Sequence, residues 1–360
     1  MRASRLPDLI ALAQEPSSGR RRELLRELTD QFFGTPEHSP SEIDLYGAIM
    51  EKLSADMETA VRAELSTRFA KALEAPKSLI RRLAGDEIVV AKAVLESSPL
   101  LSDQDLLHVV EEQGQDHLRA VSRRESVSET VTDAIVRRGD DETLVVLLGN
   151  EGAQLSRRSA EAAVERARTN PALHAATVSR ASLPPDLLND MYFVVEQKLR
   201  QRILERNAGL DPAVLEAALA RGSNRLAHDD GLLPADYVEA RDYVEELSVA
   251  GQLTPPMLAR LLRSASRTPF LIALSRLADV DFHTARDIVE RREIDALAVV
   301  CRAANLDRAL FLTYAVVLLG DEDDALAKAQ NYGRLYATLE ADAASRTLRF
   351  WRLRREARAA

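Results

Sequence analysis

Apolar side chains recur along this chain every three or four residues, the spacing of one face of an α-helix. Leu25, Leu28 and Phe32 form one such stripe after Ser17–Ser18–Gly19, with Gly34 and Pro36 as its stop. Ile43, Tyr46, Met50 and Leu53 form the next, and Met57, Val61, Leu65, Phe69 and Leu73 a third. Pro76 closes that stretch and opens a further helix, because proline suits a first turn where its missing N–H is not needed. Ser102 with Asp105 three residues on spells a near capping box, and Ser182 with Pro184–Pro185 marks another start. Ile88–Val89–Val90 and Leu144–Val145–Val146–Leu147–Leu148 have the apolar run of a buried strand. No Asn-Gly or Asp-Gly turn joins them, and each sits among Ala, Leu, Glu and Arg, so both are read as helical.

The middle of the chain repeats a pattern: an apolar helix end, a polar turn, a second helix. It recurs near Leu83 (LAGDEIVV), Val121 (VSRRESVS), Leu147 (LLGNEGAQ) and Val178 (VSRASLPP), at spacings of 38, 26 and 31 residues. Such irregular helical hairpins bury a core only by stacking on their neighbours. After about Glu205 the punctuation changes: Gly209, Pro212, Gly222, Asp229–Asp230–Gly231 and Pro234 separate shorter helices. A soft boundary therefore falls near residue 207, dividing a repeat domain over 1–206 from a C-terminal helical domain over 207–360. Within the latter, Leu253 to Ala278 and Phe282 to Leu319 read as strong helical stretches, and a last long helix runs from Ala325. The longest apolar run, Ala309 to Leu319, has eleven residues, too few to cross a bilayer as a helix. It is read as a buried helix. The apolar stretch Leu9 to Ala13 is too short for a secretory signal.

Between Val61 and Leu107 several motifs occur in order: VRAEL, an Ala-Pro before an RRLA helix, DEIVVA, and SPLLSDQDLL. In this order they resemble an uncharacterised alphaproteobacterial family, a domain of unknown function whose members look like HEAT-type helical repeats. The resemblance spans residues 20 to 205, with Ala93 where that family's pattern has proline. It implies an all-α fold of irregular HEAT-like hairpins in a curved array, and it implies no reaction.

Composition narrows the chemistry. Of 360 residues, 46 % are apolar and only 4 % aromatic, which suits helices packed on helices. A net charge of −9 disfavours a general nucleic-acid binder or a HEAT-like nucleic-acid-processing protein. The single cysteine, Cys301, excludes an internal disulfide and sits in an apolar helix face as a core thiol, in keeping with a cytoplasmic address. Phosphate-binding loops, HExxH, GxSxG and EF-hand motifs are absent. No two of His38, His108, His117, His174, His228 and His283 stand three or four residues apart, so no helical metal pair forms. His228–Asp229–Asp230 before Gly231 reads as a loop. Asp321–Glu322–Asp323–Asp324 after Gly320, like Asp86–Glu87, reads as carboxylates at the positive start of a helix.

The end of the chain, RTLRFWRLRREARAA, stands apart. Six arginines against Glu356 give it +5, while the other 345 residues total −14. It also holds the only tryptophan. Tyr332, Leu335, Leu339, Ala343, Phe350 and Leu353 form a stripe that would dock this helix, interrupted at Arg346. Arg349, Trp351, Arg352 and Arg355 are the candidate interaction residues should it instead meet a partner. The expectation is a non-enzymatic scaffold or adaptor that takes a protein partner in a concave groove and needs no cofactor or metal. The alternative is a peripheral membrane or regulatory adaptor acting through the arginine-rich helix.

Overall fold

The computed structural model describes residues 18–35, 37–55, 57–222, 233–264, 266–320 and 325–359. Over these residues the chain is 74 % helical, in 22 α-helices, with no strand. Both apolar runs weighed as strands are helical: Ile88–Val90 opens Ile88–Ser97, and Leu144–Leu148 lies in Asp141–Gly149. A single isolated parallel bridge pairs Val127 with Ala153.

The chain packs as two compact units, one ending at Ser182 and the other beginning at Leu183. This division lies before residue 207 because Pro185–Asp190 and Gln197–Ala208 pack against Ala341–Ala359, far along the chain.

The first unit holds α1 (Ser18–Gly34), α2 (Pro40–Ser54), α3 (Thr59–Phe69), α4 (Lys77–Ala84), α5 (Ile88–Ser97) and α6 (Asp103–Glu112). It continues with α7 (Gln115–Ser122), α8 (Glu129–Arg138), α9 (Asp141–Gly149), α10 (Arg157–Thr169) and α11 (His174–Ser179). The expected stripes are buried: Leu25, Leu28 and Phe32 in α1, then Tyr46, Met50 and Leu53 in α2, then Val61, Leu65 and Phe69 in α3. Leu73 departs from its stripe. Its helix stops at Phe69, and Leu73 is 77 % exposed. Ser39 and Ser102 each close a capping box, with Glu42 and Asp105 reaching back to the cap backbone.

Helices here pack on the second helix along. α3, α5, α7, α9 and α11 contact in succession as one row; α2 meets α4, and α6, α8 and α10 contact in succession as the other. The last carbonyls of a helix have no partner within it, and for three helices of each row a residue on or just past the next helix supplies one. Arg124, just past α7, donates to Leu95 O at 2.5 Å and Ser98 O at 2.7 Å at the end of α5. Asn150, past α9, donates to Ser122 O and Arg124 O at the end of α7, at 2.8 and 2.7 Å. Arg180, past α11, donates to Leu147, Leu148, Asn150 and Ala153 carbonyls at the end of α9. In the other row Arg82 serves Glu51 O, Arg138 serves Val110 O, and Arg166 serves Gly139 O at 2.8 Å.

The second unit holds α12 (Pro185–Asp190), α13 (Gln197–Ala208), α14 (Pro212–Gly222), α15 (Tyr237–Val249), α16 (Pro255–Leu262) and α17 (Thr268–Ala278). It ends with α18 (Phe282–Glu290), α19 (Ile294–Ala303), α20 (Arg308–Leu319), α21 (Ala325–Thr338) and α22 (Ala341–Ala359). The two long stretches expected here are broken into α16–α17 and α18–α20. Asp279, Arg292 and Asn305, all at φ 54°, turn the chain left-handed between helices. After each, an amide reaches five residues back: Val280 N to Ser275 O, Glu293 N to Ile288 O, and Leu306 N to Cys301 O, at 2.8–3.0 Å. This is the Schellman closure usually built on glycine.

Candidate functional site

The arginine-rich helix is an organising element of the second unit. α22 packs on α12, α13, α14 and α19. Trp351 is 2 % exposed, its ring 4.9 Å from that of Tyr192 and 5.0 Å from that of Phe193. It is therefore a core residue of the second unit. Arg346, which interrupts the apolar stripe, donates to Asn207 O at 3.2 Å and to Ala208 O, closing the end of α13. Beside it, Asn189, Asn207 and Thr347 form a buried hydrogen-bond chain, with Asn207 Nδ2 donating to Thr347 Oγ1 at 2.7 Å. Arg349 pairs with Glu216 at 2.6 Å on the surface. The backbone stays helical to Ala359, while the Arg352 and Arg355 side chains lie outside the described residues.

Several of the remaining sequence candidates have structural roles, and two acidic runs lie outside the described residues. His38, His117 and His174 each pair a ring nitrogen with a carbonyl at or just past a helix end: Phe32 O, Asp86 O and Ala167 O, at 2.8–2.9 Å. Among the described residues no three His, Cys, Asp or Glu side chains gather as a metal site. His228–Asp230 and Asp321–Asp324 lie outside those residues. Cys301 is fully buried, and that burial pushes its thiol pKa up. Asp86 carries a fork from Arg62, at 2.7 and 3.0 Å. Burial pushes its carboxyl up, but the Arg62 hydrogen bond and the Glu87 amide outweigh it and hold the group below its ordinary 3.8.

One cluster escaped the sequence reading. In the second unit Arg200 Nη1 donates to Asp295 Oδ1 and Oδ2, at 2.9 and 3.0 Å, and to Glu293; Nε donates to Val195 O at 3.0 Å. The Tyr192 ring lies 5.6 Å from the guanidinium carbon. Arg200 and Asp295 are buried. Burial raises the Asp295 carboxyl, against the pull of Arg200. The partners are 93 and 95 residues apart, so nothing local pairs them. The one sequence sign was Asp295 standing inside the apolar run Ile294–Cys301.

The surface of the first unit is the other candidate. On the α3–α11 row, Val89 of α5 is 66 % exposed and Val145 of α9 is 37 % exposed; Lys92 and Glu142 stand three residues from them on the same helices, and both are exposed. The α2–α10 face is mostly charged, with Lys77, Asp103, Glu111, Glu112, Glu129 and Glu165 exposed.

The family DUF2336, described as an uncharacterised protein conserved in bacteria, matches residues 90–349. The match starts later than residue 20 and runs well past 205, through most of the second unit. No curated protein and no solved structure matches the chain.

Proposed function

The chain belongs to the DUF2336 family of bacterial proteins, and from that premise we propose that it is a non-enzymatic adaptor whose first unit is a HEAT-like stack holding a protein partner. The observation that carries this reading is the packing of each helix on the second one along, in two rows. Stacks built this way expose an extended face that serves as a binding surface. The α3–α11 row is the better candidate, because its exposed valines, Val89 and Val145, are flanked by charges of both signs. The test is affinity capture from bacterial lysate with the full chain and with a Val89→Asp/Val145→Asp variant of unchanged circular dichroism. A protein held by the first and released by the second supports the proposal. Equal retention, or no specific protein, overturns it.

A second reading rests on α22 continuing past Trp351 with Arg352, Arg354, Arg355 and Arg358. Such a basic helix end would attach to an anionic membrane surface. Flotation with phosphatidylserine vesicles, weakened by salt, would favour it over the first.

A further inference from the structure

Beside the Arg200 cluster the second unit has an open cavity of about 380 Å³, within the size range of small-molecule sites. Its wall is the face of α13 that carries Gln197, Arg200, Gln201 and Leu204, with Lys198 at its flank; Asp295 of α19 and Leu335 of α21 complete it. Arg200 is fixed there from three sides: Val195 O on Nε, the two carboxylates on Nη1, and the Tyr192 ring against its face. Its Nη2 has no hydrogen-bond partner among the described residues and is not sealed from solvent. A guanidinium locked by its neighbours with one nitrogen uncommitted is a preorganised donor for an oxyanion.

A simple anion fits the site poorly, however, because its charge would lie beside Glu293 and Asp295. Arg200 and Lys198 balance those two carboxylates, so the site as a whole is neutral. Asp295 spends one lone pair of each oxygen on Arg200 and another on the Ala296 amide, and keeps the fourth. Leu204 and Leu335 add an apolar wall. We propose that this cavity binds a small zwitterion, an α-amino acid with an aliphatic side chain. Its carboxylate is taken by Arg200 Nη2 and Lys198, its ammonium by Asp295, and its side chain lies on Leu204 and Leu335. The adaptor reading does not depend on this site, nor this site on it.

The test is the melting temperature of the full chain with each of the twenty amino acids, followed by calorimetry on any that shift it. For leucine, 4-methylpentanoate and 3-methylbutylamine keep only the carboxylate or only the ammonium. The expected result is a saturable rise with aliphatic amino acids, with either single-charge counterpart bound at least about tenfold more weakly, since each lacks one charge-assisted contact. Leu335→Trp, which fills the cavity from a half-buried position, should abolish the shift. Lys198→Met, on the surface, should weaken binding about tenfold while leaving the ligand-free melting temperature in place. No shift with any amino acid, equal binding of a single-charge counterpart, or binding unchanged in both variants would overturn the proposal.

Discussion

A buried guanidinium has five N–H groups to satisfy without water, and Arg180, 1 % exposed, turns to the open end of α9. Two needs meet there, since helix-end carbonyls are equally short of partners. Arg180→Met should leave those carbonyls buried and unpaired, at roughly 1–3 kcal/mol in urea unfolding. Arg180→Lys should recover only part of that, because an ammonium cannot reproduce the fork. Asp86 argues the same way for pH. Its folded pKa lies below the ordinary 3.8, so it contributes stability that is fully present above that value and lost as pH falls through the folded one. Asp86→Asn is therefore expected to flatten the fall of the urea midpoint between about pH 5 and pH 2. A variant whose acid limb matches the parent's would remove Asp86 from the account.

Among elements, α22 gives the clearest prediction. Trp351→Ala empties a site walled by Tyr192 and Phe193 and should cost roughly 3–5 kcal/mol. Deleting 346–360 should lower the melting temperature further, since it also opens the end of α13 that Arg346 closes. An unchanged melting temperature after that deletion would contradict the packing. Much of this level could be read in advance, because helical stripes report burial directly: Leu28, Met50 and Leu65 are all buried. Leu73 was misread because periodicity says nothing of where a helix stops. The breaks after α18 and α19 were hidden because Arg292 and Asn305 hold the left-handed positions where glycine would have announced them. The recurrences at Leu83, Val121, Leu147 and Val178 do fall at the ends of α4, α7, α9 and α11. That Arg82, Arg124, Asn150 and Arg180 beside them close other helices could not be read, because the carbonyls they meet lie some 26 to 33 residues away. The Arg200 cluster was illegible for the same reason at greater range.

At the scale of the molecule, two units with their own cores can be followed by separate signals. Trp351 is the only tryptophan and reports the second unit, whereas far-UV circular dichroism reports both. Leu106→Ala, at a 3 % exposed position of the first unit, should cost roughly 2–5 kcal/mol. It should shift the dichroism transition while leaving the fluorescence midpoint in place; a parallel shift of both would mean that the units unfold as one. The end-closing arginines give the first unit a direction. The ends of α5, α7 and α9 are each closed by a residue that comes later in the chain. During synthesis a newly emerged helix therefore waits, its last carbonyls bare, until the following pair leaves the ribosome. Cutting back the unit from its C-terminal side strips the closure from a helix that stays, whereas cutting from the other side only frees an arginine that water can hydrate. Inheritance meets the same asymmetry: a hairpin can be inserted into such a row only if it brings a closing residue for its predecessor and an end that suits its successor.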